Sequence, residues 1–375
     1  MKKKFLASLM AMVMVFGLAA CGSSTDATTE GEDTATTEEG TTSGTGGKIG
    51  VSMPTQSLQR WNQDGANMKA ELEAAGYEVD LQYAGDNDIP TQVSQIENMI
   101  AGGCEVLVVA AIDGSSLTTA LQGAAEKNIP VIAYDRLIMD SDAVSYYATF
   151  DNYKVGQMQG EYIRDALDLD NAEGPFNIEL VTGAPDDNNV NYFFGGAMDV
   201  LQPYIDSGKL VVPSGQTEKA QCATANWSTE ESQKRFENII SSVGYGPNGV
   251  KLDAVLCSND STSYGVQNAL QAAGYTADNM PIITGQDCDK PNVKNIVAGL
   301  QSMSVFKDTR TLAEKVVVMV DAIMKGTEPE INDTETYDNG TGVIPSYLCD
   351  PVIVTKDNYK EILIDSGYYT EADVA

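Results

Sequence analysis

No histidine occurs among the 375 residues of the chain. That removes the Ser-His and Cys-His pairs that activate a nucleophile, and with them the commonest metal ligand. Cysteine is scarce: Cys21, Cys104, Cys222, Cys257, Cys288 and Cys349, with no two at CxxC spacing. Setting Cys21 aside for the reason given below leaves an odd number, which favours small buried thiols over a disulfide framework or a zinc site. Positive charge is short as well, 23 basic residues against 54 acidic and a formal net charge of −31. Nucleic acid and anionic lipid are poor partners for such a surface, whose charge reads as a means of solubility. The apolar run over residues 5–18 falls short of the ~20 residues a membrane-spanning helix needs.

That run reads instead as a secretory leader. Lys2, Lys3 and Lys4 precede it and Leu18-Ala19-Ala20-Cys21-Gly22 ends it, the charged, apolar and small-residue order of a signal peptide. Small residues directly before a cysteine resemble the lipobox of bacterial lipoproteins, in which cleavage leaves the cysteine as a diacylated N-terminus. The expectation is a signal peptide over 1–20 and lipidation at Cys21. Loss of the three leader lysines then takes the net charge from −31 to −34. Residues 22–47 are only Gly, Ser, Thr, Ala, Asp and Glu; such a stretch cannot bury a core and serves as a flexible linker over 21–47.

From Lys48 the pattern alternates strand and helix. It predicts strands over 49–53 and 79–83, helices over 61–75 and 90–101, and a strand buried on both faces in the continuous apolar run 106–111. The same supersecondary order then occurs twice. Gln95-Ile96-Glu97-Asn98-Met99-Ile100 leads to a strand, a helix with Ala120-Leu121-Gln122, and Ile132-Ala133-Tyr134-Asp135. Arg235-Phe236-Glu237-Asn238-Ile239-Ile240 leads to a strand, Asn259-Asp260, a helix with Ala269-Leu270-Gln271, and Ile283-Thr284-Gly285-Gln286-Asp287. The expected fold class is α/β: two doubly wound parallel-sheet lobes of matching topology.

Ligands of open α/β sheets sit beyond the carboxyl ends of the strands. Each repeat ends a strand there on a carboxylate, Asp135 in one and Asp287 in the other, and facing lobes would aim both into one cleft. Arg136 and Asn259-Asp260 fall at strand ends, the loop Pro185-Asp186-Asp187-Asn188-Asn189 follows the strand over 177–182, Arg60-Trp61 opens the first helix, Trp227 lies in a loop and Lys307 follows the strand over 303–306. Together they form a polyol-binding inventory. Carboxylates accept from paired hydroxyls, Arg and Lys donate, Asn does both, and an indole covers a C–H face. Either acid alone could instead cap a following helix, Arg60 could be a solvated charge, Trp227 a core aromatic, and Asp187 and Asn189 turn formers. Asp168-Leu169-Asp170-Asn171-Ala172 lacks the third ligand and the glycine spacing of a calcium loop and reads as an acidic turn.

Several strings fall in the order of one family. Leu58-Gln59-Arg60-Trp61, Ala133-Tyr134-Asp135-Arg136, Phe150-Asp151-Asn152, Pro185-Asp186-Asp187-Asn188-Asn189, Ser258-Asn259-Asp260, Thr284-Gly285-Gln286-Asp287 and Val305-Phe306-Lys307 resemble the solute-binding proteins of sugar ABC transporters. These have the type I periplasmic-binding fold, and within them the likeness is to the xylose-binding and multiple-monosaccharide-binding group. The resemblance implies a pentose or hexose such as xylose, glucose, galactose or arabinose between the lobes. Its contacts would be Arg60, Asp135, Arg136, Asp187, Asn189, Trp227, Asn259, Asp287 and Lys307. It also implies three chain crossings, near 150–152, near Lys307 and near 345–350. The lobes would then be 48–151 with 308–346, and 152–307 with 347–375, joined by a hinge. The partner implied is an ABC import permease, with no enzyme activity, cofactor, metal or nucleic acid, and the protein acts as a monomer. The lipid would place it on the extracytoplasmic face of the cell membrane, as suits a single-membrane cell. A repressor with such lobes would need a basic helix-turn-helix in front, which the leader and linker replace. A glycosidase would use two carboxylates across a sugar, and turnover of the sugar would reveal it. A chemoreceptor or sensor ligand carrier would keep the fold and change the role.

Overall fold

The computed structural model describes residues 46–374; the expected leader, Cys21 and nearly all of the linker lie outside the described residues. Twelve strands are found there: β1 (Lys48–Met53), β2 (Glu78–Tyr83), β3 (Val106–Val109), β4 (Val131–Tyr134), β5 (Val144–Phe150), β6 (Phe176–Val181), β7 (Leu210–Val211), β8 (Ala254–Cys257), β9 (Ile282–Ile283), β10 (Met303–Phe306), β11 (Ser346–Cys349) and β12 (Val352–Thr355). They form a six-stranded sheet in the order β11-β5-β4-β3-β1-β2 and a four-stranded sheet in the order β7-β6-β8-β9. Every pairing in both sheets is parallel. β10 and β12 make a separate antiparallel pair.

All four residues of β3, β4 and β8 are buried, as expected of parallel strands covered on both faces. Trp61, Met68 and Leu72 of the helix Gln59–Ala74 pack with Leu312, Val316 and Met319 of Thr309–Met324 on one face of the first sheet. Ile96 and Met99 of Ile89–Ala101 and Leu121 of Thr118–Glu126 cover the other. The second sheet is covered by Asn152–Ala166 with Asn189–Asp206, and by Thr229–Val243 with Asp260–Ala272. The first of these pairs crosses closely. A Cβ on Gly156 would stand 2.1 Å from the carbonyl oxygen of Phe193, and one on Gly196 2.2 Å from that of Tyr153, so any larger residue would push the helices apart.

The chain leaves the first sheet after Phe150. It returns through the helix Thr309–Met324, which packs on that sheet, and leaves again between β11 and β12. β11 pairs with β5 inside the six-stranded sheet, so the last passage follows Cys349 and does not fall at residue 347. The five cysteines of the described residues are free and buried, serving as small apolar groups. Residues 168–172 form a turn in which the Asn171 side chain donates to Asp168 at 2.7 Å; among the described residues no cluster of acidic or thiol groups could hold a metal ion.

Candidate functional site

Strand order reverses between β1 and β3 in the first sheet and between β6 and β8 in the second. These are the switch points at which the loops after the strands part and leave a crevice. Arg60 lies in the first turn of Gln59–Ala74, the helix that follows β1, and reaches three carboxylates. Its Nε is 2.9 Å from Asp64, its Nη2 2.5 Å from Asp135 and its Nη1 3.0 Å from Asp287. Lys307, directly after β10, lies 3.1 Å from Asp287 and 3.8 Å from Asp135. Arg60 and Asp135 follow β1 and β4 of the six-stranded sheet and Asp287 follows β9 of the four-stranded sheet, so these ion pairs join the loop ends of the two sheets.

A second group sits beside the first. The guanidinium of Arg136 donates to the carbonyls of Ala111 and Ile112 at 3.0 and 3.2 Å. Its Nε stands 3.0 Å from Asp187 but out of line for a hydrogen bond. The Trp227 indole N–H donates to the same Asp187 oxygen at 3.2 Å. Asn189 donates to the Asp135 carbonyl at 2.7 Å and accepts from the Tyr147 hydroxyl at 3.0 Å. Trp61 carries Arg136 over its ring at 5.0 Å. Trp227 lies flat against Gly183, where a Cβ would meet the indole at 2.1 Å. Arg60, Arg136, Asp187, Trp227, Asn259 and Asp287 line one gap of about 30 Å3, together with Trp61. Asp135, Asn189 and Lys307 do not line it but touch the residues that do. All nine expected residues are therefore brought together, and all except Asp287 are buried.

Helix capping does not account for the paired acids. Asp289 is the N-cap of Lys290–Ala298, and the next helix after Asp135 begins at Asn152 with Asp151 as its cap. Asp135 and Asp287 instead share an unusual backbone, φ 58° and 93°, a region that non-glycine residues enter at a cost and mostly at functional sites. Asn259 does cap a helix, accepting from the Thr262 N–H at 3.0 Å, while it lines the gap. Asp260 turns away from the cleft and is fully buried, receiving Gln301, Ser304 and the Asp289 N–H. Residues that sequence reasoning missed are Asp64, Tyr147, Gln286 and Asp289. Only Asp64 had a signal, its i+4 spacing from Arg60 on a helix.

Charge within the cleft is uneven. Burial works to raise Asp135, but Arg60, Lys307 and Arg136 overcome it and hold the carboxyl below its ordinary value. Burial wins at Asp64, pushed up to about 6 against the pull of Arg60, and at Asp289, pushed up to about 7 by burial and then by Asp287. Both acids keep protons in the fold that an unfolded chain releases near 3.8. Their contribution is thus fully present below that value and lost as pH rises through about 6 and 7. The melting temperature should be higher at about pH 5.5 than at about pH 8, and Asp289→Asn should flatten the slope. A melting temperature that rises toward pH 8 would contradict this account.

The family model for the periplasmic binding protein domain matches residues 49–328. The chain belongs to the periplasmic binding protein family. It is a binding protein and not an enzyme. Over 326 residues it is 52% identical to the multiple sugar-binding periplasmic protein SbpA of Azospirillum brasilense, spanning 86% of this chain and 90% of that one. The D-xylose-binding periplasmic protein of Escherichia coli (strain K12) is 36% identical over 327 residues, 87% of this chain and 92% of its own. Among solved structures, an ABC transporter solute binding protein from Clostridium phytofermentans with bound β-D-glucose superposes with a TM-score of 0.85 at 63% identity. That match covers 88% of this chain and 100% of the other. The type I fold and the kinship with the multiple sugar-binding and xylose-binding group, expected from the sequence strings, are both found.

Proposed function

We propose that the chain is an extracytoplasmic receptor that binds a monosaccharide between its lobes and delivers it to an ABC import permease. The observation that carries this reading is the single network of Arg60, Asp135, Asp287 and Lys307 spanning both lobes, with Trp61 and Trp227 beside it. Charged acceptors and donors in a largely buried cleft suit vicinal hydroxyls, and the indoles suit the apolar face of a ring. The names of the relatives support a pentose or hexose: multiple sugars, D-xylose and β-D-glucose. Most groups lining the gap are buried, and Arg60 pairs with Asp287 across it, so a sugar would enter with the lobes apart, and closure would be a hinge motion about the three passages of chain. We assign the lobes as 48–151 with 308–349, and 152–307 with 350–374.

Both tryptophans border the cleft, so the matching sugar should change their fluorescence, raise the melting temperature and be recovered unaltered. Trp227→Ala should shrink the fluorescence signal and weaken binding by roughly 1.5–3 kcal/mol, the scale of uncovering a large side chain. A panel of pentoses and hexoses that leaves both fluorescence and melting temperature unmoved would overturn the receptor reading.

For the anchor, the support is the Leu18-Ala19-Ala20-Cys21 string. Two acyl chains on one terminus give lasting attachment. Cys21→Ala should therefore move the protein from the membrane fraction to the soluble one, and retention of the variant on washed membranes would sink the lipid-anchor proposal.

A further inference from the structure

The wall of the cleft formed after β9 carries two acceptors that no group of the protein serves. Gln286 is 2% exposed, and its Oε1 is buried with no donor in reach. The Oδ1 of Asp289, three residues on, is in the same condition. Asp289 holds the N-cap position of Lys290–Ala298, yet its carboxylate caps nothing. A buried acceptor left without a donor costs about 1–3 kcal/mol, and such groups are rare enough to call for a reason. Both residues line the cleft gap. Asp289, with Leu58 and Ser261, also lines a recess of about 180 Å3 whose other walls include Thr229 and Pro291. Asp289 thus borders both the gap and the recess, and Gln286 borders the gap beside it.

We propose that Gln286 and Asp289 determine specificity by holding the hydroxymethyl arm that a hexose carries and a pentose lacks, Gln286 accepting from the arm's hydroxyl and Asp289 donating to the same oxygen, with the arm seated beside Asp289, which borders both the gap and the recess. The inference rests on the sugar-binding reading above and adds to it which part of the sugar these two residues read. Ring hydroxyls already have charged partners in Arg60, Asp135, Asp287 and Lys307. An arm projecting from the ring needs both room and a further acceptor, and this corner of the cleft supplies the two together. Asp289, raised by burial and by Asp287 to about 7, also holds a proton near neutrality that it can donate to the arm's oxygen.

D-glucose and D-xylose share a ring and differ in that arm, so titration calorimetry of both sugars on the full chain tests the assignment. The unaltered protein should bind glucose more tightly than xylose. Asp289→Ala and Gln286→Ala should each weaken glucose about tenfold, the equivalent of one lost hydrogen bond, and leave xylose within about twofold. Equal loss of both sugars, an unchanged ratio, or no preference for glucose in the unaltered protein would overturn the inference. An unaltered protein that binds neither these nor any other monosaccharide would instead overturn the receptor reading itself. Should an alanine variant fail to fold, Gln286→Met keeps the volume, removes the acceptor and carries the same expectation alone.

Discussion

Replacing Arg60 by alanine is expected to abolish sugar binding and to cost the fold about 3–5 kcal/mol, the penalty for breaking a buried ion pair from one side. The guanidinium is the shared partner of Asp64, Asp135 and Asp287. Without it three carboxylates meet in a buried space, with Lys307 the remaining cation within reach of two of them. Their mutual repulsion would push the buried Asp64 and Asp135 toward protonation. The loss should therefore be largest above neutrality and shrink as the acids take up protons at lower pH. Urea unfolding at two pH values reads both statements. A loss below about 1 kcal/mol, the range of exposed pairs, would mean that water reaches the cleft and screens it.

Asp135→Ala and Asp287→Ala should each weaken sugar binding by about 2 kcal/mol or more, because a hydroxyl that has lost its charged acceptor stays unpaired in a dry site. The two should differ in their effect on the fold. The carbonyl of Asp135 accepts from Asn189 at 2.7 Å and Thr149 at 3.0 Å, with the Tyr147 hydroxyl 2.6 Å away, so its backbone is held at φ 58° by groups the substitution leaves in place. Asn tolerates that conformation better than Ala, so Asp135→Asn should lower the melting temperature less than Asp135→Ala does while still losing affinity. Calorimetry that finds either alanine variant as tight as the parent would remove that acid from the site.

Much of this was legible before any coordinate. The apolar run 106–111 signalled a strand covered on both faces, and β3 occupies its first four residues, Val106–Val109. The doubled Glu-Asn-x-Ile strings and the matched strand-end acids placed Asp135 and Asp287 in equivalent positions, which the structure repeats down to the sign of φ. Asp135 and Lys307 follow directly on strands, and Arg60 and Asn189 open helices, placements visible in one dimension. What stayed hidden depends on contact across sequence. Asp260 and Asn259 are neighbours in the chain, yet one turns to Gln301 and Ser304, more than forty residues away, and the other to the gap. Tyr147 reaches Asn189 from a strand whose alternation gave no hint of it. The orphaned oxygens of Gln286 and Asp289 are defined by what fails to touch them, and no pattern of residue types records that.

Cys104 and Cys349 are buried in the cores of the first lobe, and Cys222, Cys257 and Cys288 in those of the second. Burial raises every one of these thiols above its ordinary value, which starves oxidants and alkylating agents of the thiolate they attack. No covalent staple ties the described residues together, so a reducing environment has nothing there to cut. Protection from an oxidising one comes solely from staying folded. Chemical ageing of the protein would accordingly keep time with its excursions to the unfolded state, and each lobe carries its own thiols to record them.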